Sequence, residues 1–558
     1  MLNFEKKRLH FLSRDSVIAA ALFLITLGLL SLDWRYSLSN GFFNLQGGVS
    51  TLGAERVLNG DMPYRDFWTM YAPGHFYLLA IFLKIFGNHL FVEVIAASVV
   101  SAAAVAVIYG IGRKLFVNQL YALIPAGVFL AVLFNTGYFK RLGSYPIAIF
   151  LVFIALYFMT RYYQSGKIGF LIVVGIMVGL IVIFKHDVAG YTAIALTTGL
   201  VIHHIGEKKA DSQSSLTIWR ELLIFTAAIL LISGPIMAYF AVKTWPDMLQ
   251  NLVIFPLTDF RFARPEGYPT LLPINLLGET PLLTLNNIFT YISFNIPFLL
   301  TLAGLIAVLV LIRKRQHVLA AMGATFAVGY FLHYNAAHIQ INTHIVTMSV
   351  YAIWLGILTF DYIQERNWLS RTKFLRVAGI ILIFGWLISV MARPAYTSWV
   401  GWQTERKELL LPKVSGFKVT PDEAQSLQEL KNFVNQHIPT DQALFVGLHR
   451  HDVVVIGDVM IYFILDRPIA TRYQELHPAI TDTQPIQHEI IREIQNDGVD
   501  YIILRHIFPD QVLERVKADF LKNLPYIGAT DLDNFIRINF IQVEQFGPYT
   551  VWERISSS

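Results

Sequence analysis

The residues best suited to chemistry lie between positions 59 and 75, directly after an apolar segment. This stretch, NGDMPYRDFWTMYAPGH, holds Asp61, Arg65 and Asp66 among aromatic and turn-forming residues. Charged groups kept at a water–lipid boundary are costly to bury and usually mark a functional site. We therefore expect the function of the chain to depend on what this segment holds.

The composition of the chain is that of an integral membrane protein. Of its 558 residues, 55% are hydrophobic and 15% charged, and the mean hydropathy is +0.51. Soluble domains have about 25% charged residues. The formal net charge is +5, but the basic residues cluster at the ends of apolar segments, and no basic-aromatic face indicates nucleic acid. The absence of cysteine excludes disulfides, thiolate metal sites and a cysteine nucleophile.

Apolar runs long enough to cross about 30 Å of hydrocarbon predict about eleven spans. They lie near residues 16–33, 90–112, 119–136, 143–160, 168–184, 188–205, 221–242, 291–312, 317–334, 343–360 and 375–392. The basic start of the chain also suits a signal peptide, but no small-residue cleavage site follows the first run, which we interpret as an uncleaved span.

The run 72–86 is short, begins at Pro73-Gly74 and contains Lys84. If it crossed the membrane, the later basic clusters would lie outside, against the positive-inside rule. We therefore predict an interfacial or re-entrant helix within a long first outer loop, 34–89. The N-terminus is then cytoplasmic and the C-terminus extracytoplasmic.

The composition becomes that of a soluble protein after residue 392. Helical periodicity from 421 and at 486–494 alternates with apolar strands at 443–447 and 499–504, which predicts a small α/β domain over 393–558. Polar clusters at 447–452 and 472–478 are either a ligand site or turns and surface. His449 and His451 could take a metal, but no carboxylates at helical spacing accompany them.

Four motifs together resemble a known family. They are GDMPYRDF at 60–67, APG at 72–74, FG at 86–87 and GRKLF at 112–116. As a set they look like the membrane glycosyltransferases of the GT-C fold, in the branch of the protein mannosyltransferases and lipid A aminoarabinose transferases (glycosyltransferase family 39). The resemblance covers roughly residues 15–392, and the C-terminal domain looks like the tail of uncharacterised bacterial members.

The resemblance implies a polytopic α-helical GT-C protein, 1–392, followed by the extracytoplasmic domain. It also implies an activity: transfer of a sugar from a polyprenyl-phosphate donor to a glycan, lipid or protein acceptor at the outer face of the cytoplasmic (inner) membrane. The residues themselves predict no cofactor and no set of metal ligands. In such enzymes a first-loop aspartate acts as general base or activates the acceptor. Basic residues of other outer loops hold the lipid phosphate, where negative charge develops.

This sequence departs from the family pattern in two places. The usual acidic pair, some fourteen residues before Gly60, is replaced by Gln46-Gly47-Gly48, and Glu93 stands where many members have arginine. Either the base has moved, to Asp66 or Asp33, or this member is catalytically altered.

The candidate catalytic residues are therefore Asp66 and Asp33. Asp66 could instead form a loop salt bridge with Arg65 or Arg56, and Asp33 could be an interfacial anchor. The candidate substrate-binding residues are all basic and lie in predicted outer segments: Arg65, Lys140, Arg141, Lys185, Arg261, Arg264 and His338. The alternative for Lys140 and Arg141 is contact with lipid headgroups, and for His338 it is a structural hydrogen bond.

Two further functions stay open at this point. One is a non-catalytic relative that binds or presents a lipid-linked glycan through its C-terminal domain. The other is a transporter, which is disfavoured because the two halves show no paired Gly- or Pro-broken spans and no internal repeat.

Overall fold

The computed structural model describes residues 14–36, 48–135, 137–207, 214–263, 276–277, 281–336, 341–365, 385–386, 388, 399–401, 403–455 and 457–555. The first part is helical: α1 (Arg14–Tyr36), α2 (Gly48–Leu58), α3 (Gly74–Phe86), α4 (Leu90–Leu115), α5 (Gln119–Asn135), α6 (Ser144–Ser165), α7 (Ile168–Phe184), α8 (His186–Glu207) and α9 (Ser214–Thr244). Short helical turns follow between Asp247 and Ala263, and then the long helices Pro281–Arg313, His317–Ala336 and Ile341–Glu365.

The long apolar helices confirm a polytopic membrane protein. Within the described residues, six helices are long and apolar enough to cross a membrane: Arg14–Leu32, Leu90–Leu115, Ser144–Ser165, His186–Ile205, Thr217–Thr244 and Tyr291–Arg313. Four apolar helices are shorter: Gly74–Phe86, Gln119–Phe134, Ile168–Phe184 and Met348–Phe360. The number of spans, about eleven, stays a prediction, and most of the last predicted run, 375–392, lies outside the described residues.

The helix α3 has 13 residues, which corresponds to a length of about 20 Å. The hydrocarbon layer is about 30 Å thick, so α3 is too short to cross it unaided. That length agrees with the interfacial or re-entrant placement, which itself stays a prediction.

Small residues bring the helices close together. Gly175 and Gly179 form a G-x-x-x-G pattern on α7 where it packs against α9. A Cβ atom at Gly175 would lie 2.8 Å from the Phe225 carbonyl oxygen, and one at Gly179 would lie 2.8 Å from the Ile229 carbonyl oxygen. Glycine is needed at both positions for this approach, as is usual where membrane helices meet.

The C-terminal residues form the predicted α/β unit. Thr420 caps the helix Pro421–His437 by accepting from the Glu423 N–H, and proline stands at its favoured first helical position. A small separate sheet pairs β1 (Lys407–Glu408) with β2 (Lys418–Val419). The strands of the main sheet are β3 (Phe445–Leu448), β4 (Tyr501–Arg505), β5 (Phe540–Phe546) and β6 (Tyr549–Arg554). Their order in the sheet is β3-β4-β6-β5, with β3 parallel to β4 and the other pairs antiparallel.

The predicted strands and helices of this unit are confirmed. Helix Gln484–Asn496 joins β3 to β4 in the expected place, together with the shorter helix Val459–Leu465. Helices Asp510–Leu521 and Asp531–Asn539 precede the β5–β6 hairpin. That hairpin, absent from the sequence prediction, adds two antiparallel strands and makes the sheet mixed.

The α/β unit packs directly on the end of the helical region that carries α2 and the start of α4. One hydrophobic cluster combines Val49 and Leu52 of α2 with Phe417 and Leu430 of the C-terminal residues. The rings of Phe91 and Phe417 stack with centroids 4.3 Å apart. The two parts therefore share an apolar core, and the first outer loop lies between them.

Candidate active site

The first outer loop folds back on itself directly after α2. Its turn is closed by backbone hydrogen bonds from Asp66 N to Met62 O and from Tyr64 N to Phe67 O, both 2.9 Å. Tyr64 has φ of +72° and is fully buried, a backbone conformation that is uncommon outside glycine. The turn thus has one fixed shape, and that shape directs the Asp66 carboxylate.

Asp66 is an ionised carboxylate at the edge of this turn. Arg65 donates to it from Nε (2.9 Å to Oδ1) and from Nη2 (2.6 Å to Oδ2), and the Met62 N–H donates to Oδ2 at 2.7 Å. The Arg65 hydrogen bond, supported by that of Met62 and by the charges of Arg65 and Arg56, holds the pKa of Asp66 below its usual value. The side chain remains 29% exposed, so a ligand can reach it. The predicted ion pair with Arg65 is therefore present.

Arg56 of α2 fixes the turn from the inside. Its guanidinium bonds Asp61 Oδ2 at 2.6 Å and the Asp66 carbonyl oxygen at 2.8 Å, and it lies 5.0 Å from the centroid of the Phe67 ring. Asp61 is thus a partner of Arg56 within the turn.

Arg141 lies in a buried ion pair. It donates from Nε to Glu93 Oε1 at 3.1 Å and from Nη2 to Glu93 Oε2 at 3.0 Å, and Thr51 of α2 joins both partners. Glu93 is fully buried, and Arg141 neutralises its charge there. Lys140, the preceding residue, is half-buried.

The helix α2 connects these two charged groups. Thr51 contacts the Arg141–Glu93 pair, and Arg56, five positions later, holds the Asp66 turn. Five residues of α-helix rise about 7.5 Å. The predicted Lys140–Arg141 and Arg65–Asp66 sites are therefore attached to the same short helix.

Lys185 lies in the turn between α7 and α8, where its Nζ is 3.2 Å from Asp187 Oδ2. The start of α3 approaches this turn closely, since a Cβ atom at Gly74 would lie 2.8 Å from the Ile183 carbonyl oxygen. The APG motif at 72–74 therefore serves a close contact between the first outer loop and the turn that carries Lys185.

Arg261 is exposed, and its guanidinium lies 5.5 Å from the centroid of the Phe262 ring. The neighbouring Phe260 packs against His477 of the C-terminal residues, with ring centroids 5.3 Å apart. Arg264, His338 and the side chain of Asp33 lie outside the described residues.

The described residues contain no group of three or more side chains that could hold a metal ion. His451 uses both ring nitrogens in the protein: Nδ1 lies 2.8 Å from Asp533 Oδ1, and Nε2 accepts from the Leu448 N–H at 3.1 Å. His449 pairs with Asp510. The described contacts of both histidines hold the segment that follows β3, and a ligand site at 447–452 stays a prediction.

Comparison with known proteins identifies the architecture. ArnT from Cupriavidus metallidurans, in a crystal structure bound to undecaprenyl phosphate, superposes with a TM-score of 0.50 at 13% identity, over 97% of this chain and 98% of that one. The apo crystal structure of the same ArnT gives 0.51 at 14% identity over the same shares. The family described as dolichyl-phosphate-mannose-protein mannosyltransferase matches residues 71–237. The chain has the GT-C glycosyltransferase fold.

The resemblance deduced from the four motifs is thereby confirmed. No curated protein sequence matches this chain. The ArnT superposition covers the GT-C helices and the C-terminal residues together. The α/β unit is therefore included in the architecture that the two proteins share.

One residue of the segment that replaces the acidic pair lies in a close backbone contact. Gly48, the last residue of the Gln46-Gly47-Gly48 replacement, packs against the backbone of the helix Val459–Leu465, where a Cβ atom would lie 2.6 Å from the Val459 carbonyl carbon. Gln46 and Gly47 lie outside the described residues. The α/β unit thus occupies the space that a side chain at position 48 would need.

The sequence did not reveal the residues that join the first loop to the α/β unit. Arg472 and Gln474 contact Tyr64, Trp68 and Arg56, although more than 400 positions separate them. The polar 472–478 cluster was the available signal, but its partner could not be identified without the fold.

Proposed function

We propose that this GT-C protein transfers a sugar from a polyprenyl-phosphate donor to an acceptor at the outer face of the cytoplasmic membrane. The observation that carries the proposal is the accessible, ionised Asp66 carboxylate, held in a rigid outer turn of a GT-C fold. The undecaprenyl phosphate bound to the structurally similar ArnT supports a polyprenyl phosphate as the carrier.

In this proposal Asp66 receives the acceptor. Its Oδ1 takes one hydrogen bond from Arg65 among the described contacts, and a carboxylate oxygen can accept more than one. An acceptor hydroxyl or amine can therefore donate to Oδ1, which orients its lone pair toward the anomeric carbon. Because the pKa of Asp66 is low, the carboxylate is a weak base and its main contribution is to orient the acceptor and to stabilise the positive charge that develops on it. It accepts the proton of the acceptor as the reaction completes.

The basic residues of the outer segments receive the departing phosphate. Arg65, Lys140 and Lys185 are proposed to contact it, because each lies at an outer turn attached to α2 or to the start of α3. Arg141 supports this site through the Glu93 pair, which fixes the turn that presents Lys140. Arg261, Arg264 and His338 are proposed as further donor contacts, and Asp33 as the alternative carboxylate.

The test is transfer of radiolabelled sugar from a panel of polyprenyl-phosphate donors by the purified full-length protein in lipid nanodiscs. Asp66→Asn should reduce the rate by at least about 100-fold, the usual contribution of a positioned acid–base group. Asp61→Asn is the matched control, because Asp61 is a second carboxylate of the same turn that serves only Arg56 in the described contacts; it should keep most activity.

The other outcomes separate the alternatives. Transfer that survives Asp66→Asn and is lost in Asp33→Asn would move the catalytic role to Asp33. Absence of transfer with every donor, together with tight binding of a lipid-linked glycan, would replace the enzyme by a binding protein.

A further inference from the structure

Arg472 of the α/β unit closes both ends of the turn that carries Asp66. Its Nη2 donates to the Tyr64 carbonyl oxygen at 2.5 Å, and its own carbonyl oxygen accepts from the Trp68 N–H at 2.9 Å. Tyr64 and Trp68 flank Asp66 on either side. One residue from the far end of the chain therefore joins the two sides of the catalytic turn.

The same guanidinium reaches a third segment. Nη2 lies 3.1 Å from Asp247 Oδ2, in the short helix after α9. Nearby, the ring centroid of Trp68 lies 5.7 Å from that of Phe255 and 5.4 Å from that of His477. The first loop, the segment after α9 and the α/β unit thus meet around Arg472.

Arg472 is itself held firmly by the α/β unit. Its N–H donates to Glu493 Oε2 at 3.3 Å, and the Thr471 hydroxyl donates to the same oxygen. The Tyr473 hydroxyl donates to Glu489 Oε2 at 2.9 Å. Both glutamates stand on the helix Gln484–Asn496, so the loop segment that carries Arg472 is fastened to a regular element by its backbone and by its two neighbours.

The Tyr64 conformation explains why such an anchor is needed. A buried tyrosine at φ of +72° is costly for a non-glycine residue and persists only where its surroundings hold it. Arg472 bonds the carbonyl oxygen of that very residue. Arg56 holds the turn from α2, and its Nη1 also bonds Gln474 Oε1 at 3.1 Å, which gives a second link to the same segment.

We propose that Arg472 is a positioning residue: it holds the Tyr64–Trp68 turn, and with it Asp66, in the conformation that transfer requires. The α/β unit then acts on the reaction through the shape of the first outer loop, without touching the substrate. The effect on transfer rests on the proposed function, whereas the effect on the loop does not.

The loop can be measured directly by hydrogen–deuterium exchange of the full-length protein in nanodiscs. The amides of Tyr64, Asp66 and Trp68 are all hydrogen-bonded, so a peptide covering 62–68 should be protected in the wild type. Because hydrogen bonds to charged groups are among the stronger ones, Arg472→Gln should speed exchange of this peptide by about tenfold or more. Arg472→Lys keeps a charge but not the planar fork and should lie between.

Arg467→Gln is the matched control. Arg467 donates to backbone oxygens of Ile438 and Asp466 within the α/β unit, and none of its described contacts reaches the first loop. It should leave exchange at 62–68 unchanged, and peptides from α4 should exchange alike in all variants, which excludes general unfolding.

Transfer kinetics complete the test. Loss of positioning should lower kcat by about tenfold or more in Arg472→Gln, with little change in KM for the donor and partial recovery in Arg472→Lys. Unchanged exchange at 62–68 would overturn the proposal whatever the activity. Faster exchange with unchanged kcat would overturn the positioning role. If the wild type transfers no sugar, the proposed function fails, and faster exchange would still support the hold of Arg472 on the loop.

Discussion

The buried Glu93–Arg141 pair should dominate the stability of the outer helical region. Glu93 has no exposed surface and Arg141 has 9%, and two hydrogen bonds of 3.0 and 3.1 Å join them. Removing one partner of a buried pair leaves an uncompensated charge, which costs about 3–5 kcal/mol. Arg141→Met should destabilise the protein by about that amount, and Glu93→Leu should destabilise it as well.

The double variant decides between a pair effect and two separate effects. With both charges removed, neither side chain is left buried without its partner, and replacing a buried pair by apolar residues is often close to neutral. The double variant should therefore be more stable than either single variant, with a coupling energy of about 3 kcal/mol at the upper end of the usual range.

The measurement is thermal unfolding of the protein in detergent, followed by tryptophan fluorescence. Each single variant should lower Tm by several degrees, and the double variant should recover most of the loss. Lys522→Met, which breaks an exposed pair with Asp519, is the control and should change little. Losses that simply add in the double variant would refute the reasoning, because independent sites add and coupled sites do not.

Three further results are expected. Because Arg65 holds the pKa of Asp66 below 3.8, the stability that this carboxylate contributes is present above that value, and acidification from pH 7 to pH 5 should not lower the transfer rate through Asp66. A loss of rate in this range whose midpoint moves to higher pH in Asp66→Glu would contradict this, because glutamate has the higher ordinary pKa. Gly48→Ala should destabilise the protein by about 1–3 kcal/mol through overpacking, which would appear as a lower Tm. Gly127→Ala is the control and should leave Tm unchanged, because Gly127 has open space around it. Burial raises the pKa of Asp482 from 3.8 to about 7, so the free energy of unfolding falls as the pH rises between those values. Asp482→Asn should therefore remove the difference in Tm between pH 6 and pH 8. An equal difference in the wild type and the variant would refute this.

Several features could be predicted because they depend on neighbours in the chain. The apolar runs predicted the long helices, since a segment in lipid must satisfy its own backbone hydrogen bonds. Apolar runs predicted β3 and β4, and helical periodicity predicted the helix Gln484–Asn496. The Arg65–Asp66 pair was also foreseeable, because the two residues are adjacent.

Other features could not be predicted because their partners are distant in the chain. The β5–β6 hairpin has an edge strand exposed along most of its length, so it lacks the clear apolar alternation that marks a half-buried strand. The partner of Glu93 is another example, because α4 and the turn before α6 had to meet before Arg141 could be identified.

The sequence by itself determined that this is a helical membrane protein with a GT-C-like charged loop and an appended α/β unit, because hydrophobicity, charge and local motifs are properties of short stretches. Tertiary structure decided how that loop is held. Arg472 contacts the turn at Tyr64 and Trp68, and the backbone of Val459 packs against Gly48 at the start of α2. Each contact joins residues more than 400 positions apart, so it depends on how two regions pack together and cannot be predicted from a local pattern.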